Sequence, residues 1–562
     1  MGQLLLSTLV VTLWVHSINT SPVLKCRCLP KDPCWPDTTA WDRFNTTLGG
    51  RLLATFPPAY PCHDPHYDEA ACNVVKKQWN NPLWRIDQAG AMQYETWEVD
   101  NNANCSSNTN RTSPCHQGSI PEYSVDVSDR ADIQHAVRFA ANNRLRLTVK
   151  NTGHDFLGRS TAPGSLSIWT HHLKNITFHE SFDASGCTKG VSAVTLGAGV
   201  EWGEAYEAVS KHNMEIVGGQ SFTVGAAGGY AQGGGHSPLG PKYGMRPDNV
   251  LQMEVVTADG ELRIANACQN KDLFWALCGG GGGTFGVVTS VTYRTYPSNR
   301  YSGAIYNVQI GNASYQDLLR DILLLQPALS DAGCSSAANA SFQQHIASLV
   351  QKHPGALFTG KLQDFPTYLD WLRSAIWLQS PDPAGNCTIV GGDNILMGSR
   401  LIPRSNLESK SSATELARVL LQTMATLPPN SPLGLGLLGG GEVARNGGIN
   451  AVNPAWRKSL LHTLYMISWP ENSSNQKQNE VASDITRVIQ PLRDLIPDSG
   501  CYANEADPNE PNWQQAFYGD NYSRLKTIKN QVDPTGLFVC RKCVGSEDWS
   551  EDLNCPRYSI SQ

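Results

Sequence analysis

Apolar positions along the 562-residue chain take a clear period in a few stretches, separated by long ones with none. The first, Leu4–Val15, is apolar except for Ser and Thr, and polarity returns at His16–Thr20. A membrane span needs about 20 apolar residues, so the run reads as a secretory signal over residues 1–20. Residues 21–115 show little period and many Cys, Pro, Trp and Asn, which predicts an extended, disulfide-bridged collar. Regular structure starts near Pro121. Tyr123, Val125 and Val127 alternate as a strand, and Ser128 or Asp129 can cap a helix with Ile133, Val137 and Ala140 on one face. Leu145, Leu147 and Val149 alternate again, so a strand–helix–strand unit delivers the chain into Asn151-Thr152-Gly153-His154.

A second unit follows. The strand Val194–Leu196 leads through Gly197-Ala198-Gly199 into a helix with Trp202, Tyr206 and Val209 on one face. Residues 251–257 and 286–293 predict strands around an Asp259-Gly260 turn. From 300 to 495 the pattern is mixed strands and long amphipathic helices, with loops at 427–448. The final residues, 496–562, are too polar for a core of their own and are expected to pack back on an earlier part. The expected units are therefore 1–20, 21–115, 116–299, 300–495 and 496–562.

Composition narrows the function classes. Lys plus Arg number 44 against 50 Asp plus Glu, a net charge of −6, with no basic block, which argues against nucleic-acid binding. Sixteen cysteines cluster near both ends, Cys501 among them, as expected of staples in an oxidising compartment. Cys26-x-Cys28 and Cys540-x-x-Cys543 lack the spacing of a zinc site, and no metal is expected. Sequons at Asn45, Asn104, Asn110, Asn175, Asn312, Asn339, Asn386 and Asn472 predict a glycosylated, secreted or lumenal protein without a membrane span; a ninth stands at Asn521.

Glycine carries the remaining signal. Gly197-x-Gly199 lacks the correctly spaced third glycine of a dinucleotide fingerprint, no phosphate-loop lysine motif exists, and 235–240 departs from the nucleophile-elbow spacing. Gly218-Gly219, Gly225, Gly228-Gly229 and Gly233–Gly235 crowd into one segment, and Gly279–Gly283 is a run of five. Such backbones approach a ligand closely and line up N–H groups for phosphate oxygens, which points to a large phosphate-bearing cofactor.

The stretches 147–160, 167–176, 224–250, 272–291 and 504–538 together resemble the FAD-linked oxidoreductases of the vanillyl-alcohol-oxidase type, in the fungal berberine-bridge-enzyme-like branch that includes isoamyl alcohol oxidase-like proteins. The resemblance implies an α+β fold: a PCMH-type FAD-binding domain of two subdomains at 116–299, and a substrate domain at 300–495 whose antiparallel sheet covers the flavin. It also implies that 496–562 returns to the FAD domain. His154 matches the histidine bonded to the flavin 8α carbon, with Asn151, Thr152, Gly153, Asp155, Arg159 and Ser160 around it. Gly225, Gly228, Gly229, Gly235, His236, Asn521 and Tyr522 are further implied cofactor contacts, and facing the flavin would keep Asn521 unglycosylated. Many relatives carry a second link through cysteine, but Ser221 stands there, so a single covalent link is expected.

The implied reaction is hydride transfer from an alcohol carbon to the flavin, with reoxidation by dioxygen, in a monomer acting on a small secondary metabolite. Tyr502 and Glu505 are the implied candidates for the base, with a tail-anchoring role as the alternative. Trp371, Trp377 and Tyr465 could equally serve a carbohydrate oxidase, and a flavin-binding glycoprotein without catalysis is the third reading. For His171-His172 and His236, a capping or loop role is expected rather than metal ligation.

Overall fold

The computed structural model describes residues 25–557 apart from 100–104, 185–186, 188–189, 312–313, 333–335, 376–390, 430, 472 and 474. The signal-like run, Trp377 and the sequons at Asn104, Asn312, Asn386 and Asn472 lie outside the described residues, as does the side chain of Asn339.

The first strand–helix–strand unit forms as its alternation predicts. Strands Tyr123–Asp126 and Arg146–Lys150 flank a helix Arg130–Asn143, and the Asp129 carboxylate accepts the backbone N–H groups of Ala131 and Asp132. Such a cap is worth about 1 kcal/mol. Both strands pair in parallel with Ser165–Trp169, and a short strand, Leu52–Ala54, adds antiparallel to the outer edge. That edge strand corrects the expectation for 21–115. Part of the collar is regular, with helices Thr38–Thr47 and Glu69–Gln78, and Trp41 and Phe44 enter the same core as Val125, Ile133 and Leu166.

A five-stranded antiparallel sheet follows, in the spatial order Ile176–Phe182, Val191–Gly197, Val287–Arg294, Val250–Val256, Leu262–Asn266. The Asp259-Gly260 turn joins Val250–Val256 to Leu262–Asn266, a strand the sequence pattern did not single out; Val287–Arg294 instead pairs on the far side. Trp202, Tyr206 and Val209 of helix Trp202–Lys211 are buried against this sheet. Leu525, Ile528 and Phe517 of the C-terminal segment join the same core. Apolar burial is worth roughly 25 cal/mol per Å², so this shared core is what holds the returning tail in place.

In the second half, Asn394–Pro403, Ser459–Trp469 and Leu433–Leu437 make an antiparallel sheet with Ser459–Trp469 central. Helices Lys410–Thr426 and Asn475–Leu495 pack their apolar faces on it. Tyr301–Ile310 and Ala356–Phe365 pair as a separate ribbon.

Six disulfides are present among the described residues, and Cys26–Cys555 ties the two ends together. Cys501, counted with the staples in the sequence, is instead buried beside the Ala516 carbonyl with no disulfide partner among the described residues. No helix among the described residues is long and apolar enough to cross a membrane.

Candidate active site

A cavity of about 1460 Å³ opens between the glycine-rich loops, the three-stranded sheet and the ribbon. It exceeds the roughly 300–1,000 Å³ typical of small-molecule sites. The loop after strand Arg146–Lys150 forms one wall, because that strand ends where Gly153, at φ +83°, turns the chain inward.

His154 stands on this wall. Its Nε2 lies 2.7 Å from the Thr223 hydroxyl, and its Nδ1 lies 3.4 Å from the hydroxyl of Tyr94. Burial pushes the His154 pKa down to about 3, so the imidazole is neutral and keeps a nucleophilic lone pair. Tyr94 comes from the collar, stacked on Phe156, and the Gln93 backbone N–H donates to the Gly153 carbonyl. Lys150 fastens the same collar segment by donating to the carbonyls of Gln88 and Ala89. No periodicity in the collar marks Tyr94; only the tertiary contact reveals it.

The other expected residues divide. Asp155 folds the loop upon itself: its carboxylate accepts from the backbone N–H groups of Leu157, Arg159 and Ser160 and from the Ser160 hydroxyl. Arg159 donates to the carbonyls of Arg541 and Lys542, locking the loop to the C-terminal segment. Asn151, Thr152, Ser221, Gly225, Gly228, Gly229 and His236 line the cavity, as do Tyr502 and Glu505. Gly235, Asn521 and Tyr522 do not. Gly235 is packed under Arg246 and Tyr230. Asn521 spends its amide on the Val452 carbonyl, and Tyr522 accepts from Gly545 N–H, so both hold the tail in place instead.

The glycines let two loops touch. A Cβ on Gly282 would lie 2.6 Å from the Cα of Gly229, and one on Gly225 would lie 2.1 Å from the Asn151 amide nitrogen. Among the lining residues, Asn151 Oδ1, Ser221 Oγ and Gln232 Oε1 are buried polar atoms with no hydrogen-bond partner among the described residues. Buried polar groups are normally paired, so these atoms await a ligand with a polar edge. Cradle, polar atoms and neutral His154 fit FAD.

A second cluster lines the same cavity. Both oxygens of Glu505 lie 3.2 Å from Nε2 of His236, and His462 Nε2 lies 3.7 Å from one of them. Burial works to raise the Glu505 pKa, but the charge and hydrogen bond of His236, with a contribution from His462, hold it below the usual carboxylate value. An ionised carboxylate only accepts, so His236 Nε2 carries the proton. His462 projects from the central strand Ser459–Trp469 and was missed in the sequence; a histidine among leucines of an apolar strand is its only local signal. The loop or capping role expected for His236 is therefore incomplete, since its ring faces the cavity in this cluster. His171 and His172 instead pair with Asp87 and Asp126. The Tyr502 hydroxyl accepts from Gly235 N–H and from the Asn504 amide, which leaves its own proton to donate. Burial pushes the Tyr502 pKa far upward. Of the three aromatics noted earlier, Trp371 lines the cavity, while Tyr465 is buried in the second core with its hydroxyl 2.8 Å from that of Thr423.

Comparison with known proteins agrees with this geometry. A family model described as FAD binding domain matches residues 121–266, and one described as Berberine and berberine like matches 501–544. An uncharacterized FAD-linked oxidoreductase of Arthroderma benhamiae is 42% identical over 96% of this chain and 97% of its own. The crystal structure of the VAO-type flavoprotein MtVAO615 from Myceliophthora thermophila C1 superposes with a TM-score of 0.84 at 33% identity, covering 93% of this chain and 98% of that one. Glucooligosaccharide oxidase from Acremonium strictum, at 17% identity and a TM-score of 0.65 over 84% of this chain and 98% of that one, shares the fold.

Proposed function

Since the chain belongs to the FAD-linked oxidoreductases of the vanillyl-alcohol-oxidase type, in their berberine-bridge-enzyme-like branch, we propose that it is a secreted alcohol oxidase whose flavin is tethered once, through His154. The observation that carries this reading is the neutral His154 imidazole on the wall of a cavity large enough for FAD and a substrate. Bound FAD, held by His154 and the glycine loops, would supply hydride acceptance from an alcohol carbon and reoxidation by dioxygen.

The residues of the chain supply orientation and proton handling. Tyr502, kept protonated by burial, donates to the substrate oxygen, while Asn504 holds the tyrosine and also donates to the Gly229 carbonyl on the cofactor side. Glu505 places a fixed negative charge across the cavity that favours the departure of the hydroxyl proton. Its ionisation comes from His236, whose N–H it accepts.

A single link, rather than two, is supported by Ser221 on the cavity wall and by Cys540, a lining cysteine held in a disulfide with Cys543. The glucooligosaccharide oxidase structure is titled for a 6-S-cysteinyl, 8α-N1-histidyl FAD, and this chain retains the histidine alone.

The test is direct. Purified protein is precipitated in trichloroacetic acid and the pellet run on a denaturing gel under ultraviolet light, then native protein is mixed with benzyl alcohol, vanillyl alcohol or cellobiose and peroxide is measured. Fluorescence comigrating with the chain and peroxide from an alcohol support the reading. A colourless chain overturns it, and peroxide from cellobiose alone moves the substrate to carbohydrate, the class that Trp371 on the cavity wall could stack against.

A further inference from the structure

We propose that His462 is the base that takes the hydroxyl proton of the substrate, and that Glu505 and His236 position and charge-balance it; this rests on the alcohol-oxidase reading. Three features of the cluster carry the assignment. First, the Nε2 atom of His462 is buried, has no hydrogen-bond partner among the described residues and faces the Glu505 carboxylate at 3.7 Å. A carboxylate at that nitrogen selects the tautomer with the proton on Nε2, which leaves the lone pair on Nδ1. Second, the His462 side chain is only 4% exposed, yet it lines the cavity, so the face it does present is the face toward substrate. Third, burial first, and then the neighbouring His236, depress the His462 pKa to about 4, against the pull of Glu505. The ring is therefore neutral and able to accept over the working pH range. The titratable groups facing it are Glu505, His236 and Tyr502, whose rings or carboxylate surround it together with Trp456.

The alternatives within the cluster are weaker proton acceptors. Glu505 already accepts from His236 through both oxygens, and Tyr502 is held protonated. His236, His462 and Glu505 also bring their ligand atoms within 4.8 Å of one another. A metal-bound imidazole ordinarily donates its other N–H to a carbonyl or carboxylate. His236 Nδ1 is buried without any such partner among the described residues, so the cluster is built for a proton rather than a cation.

In the step assigned here, the substrate O–H bond breaks and its proton moves to Nδ1 of His462. The electron pair left on oxygen forms the carbonyl π bond as the carbon's hydrogen leaves with its pair as hydride, so the alcohol is oxidised and the flavin is reduced. Dioxygen would then take back the hydride equivalent, two electrons and one proton, while the imidazolium returns the second proton, and hydrogen peroxide leaves.

The experiment uses flavin-loaded wild type, His462→Gln, His462→Asn and Glu505→Gln, each first checked for covalent flavin in acid. Anaerobic bleaching of the flavin by the three compounds named above is followed by stopped flow from pH 3 to 8, which brackets a base of pKa about 4. In both His462 variants the saturating rate is expected to fall about 10²–10⁴-fold, the usual contribution of a positioned base, with substrate affinity little changed and the acid limb of the pH profile lost. Glu505→Gln should keep the limb but move it to lower pH, as a positioning residue would. Wild-type rates in both His462 variants, a persisting acid limb, or a stoichiometric metal whose removal by EDTA stops wild-type bleaching would each overturn the proposal. A wild-type flavin bleached by none of the three compounds would sink the alcohol reading instead. The base is then decided by the NMR titration of the ring itself: an imidazole signal, lost in both variants, that stays neutral down to about pH 5 supports His462, and one already protonated at neutral pH overturns it.

Discussion

Thr223 and His154 meet at 2.7 Å, hydroxyl to Nε2, on a loop and a wall separated by 69 residues in sequence. The contact occupies one imidazole nitrogen and leaves Nδ1, with only the 3.4 Å approach of Tyr94, as the freer nucleophile. His154→Ala should abolish acid-stable flavin fluorescence while leaving dissociable yellow colour. Thr223→Val should lower the acid-stable fraction several-fold by releasing the ring, measured as fluorescence in the acid pellet over total absorbance at 450 nm.

Ser221 bears on the number of links. Ser221 lines the cavity, its buried hydroxyl has no partner among the described residues, and oxygen there cannot form a thioether. Mass spectrometry of the tryptic digest should find flavin on the peptide containing His154 and none on the peptide containing Ser221. A flavin-modified peptide spanning residue 221 would refute the single link.

The cradle between loops is tested at Gly282, where any side chain would strike the backbone of Gly229 at 2.6 Å. Two pieces of backbone cannot yield as a flexible side chain would. Gly282→Val is expected to lower the flavin-to-protein ratio at least tenfold, with the far-ultraviolet circular dichroism retained.

Acid should weaken the fold through buried imidazoles. Burial depresses the folded pKa of His154 to about 3 and that of His462 to about 4, both below the unfolded value of about 6.5. The contribution is therefore complete above pH 6.5 and is lost progressively as pH falls toward the folded values. Glu505, whose folded pKa is also depressed, adds a loss in the same direction below the ordinary carboxylate range. Melting temperatures measured from pH 7 to 4 should fall, and His462→Gln should flatten the part of that fall above pH 4, by on the order of 1–3 kcal/mol in stability. An unchanged slope would show that His462 is protonated in the fold.

The bridge Cys26–Cys555 joins residues 529 positions apart and closes the collar onto the C-terminal segment. Replacing both cysteines by serine should cost about 2–5 kcal/mol, read as a lower urea midpoint. Arg27, beside Cys26, sits over the Trp549 ring at 4.4 Å, so some attachment of the end survives.

How much was readable beforehand differs by region. The strand–helix–strand unit, the helix with Trp202, Tyr206 and Val209, and the loop holding His154 follow from alternation, capping and motif, because each is a local pattern. The collar misled. Trp41 and Phe44 find their core only by packing against Phe139 and Tyr123, so no local period announces the helix that carries them. Asn521 and Tyr522 stand in a stretch with a strong resemblance, yet they anchor the tail.

By itself the sequence determined the glycine loops, the position of His154, the serine at 221 and the fold class, since these depend on residue identity at fixed spacing. Tertiary structure decided which side chains meet at the site: Tyr94 with His154, and His236 and His462 with Glu505. Those partners come from segments tens to hundreds of residues apart, brought together by burial of apolar faces that is non-directional and leaves no mark on any one stretch of chain.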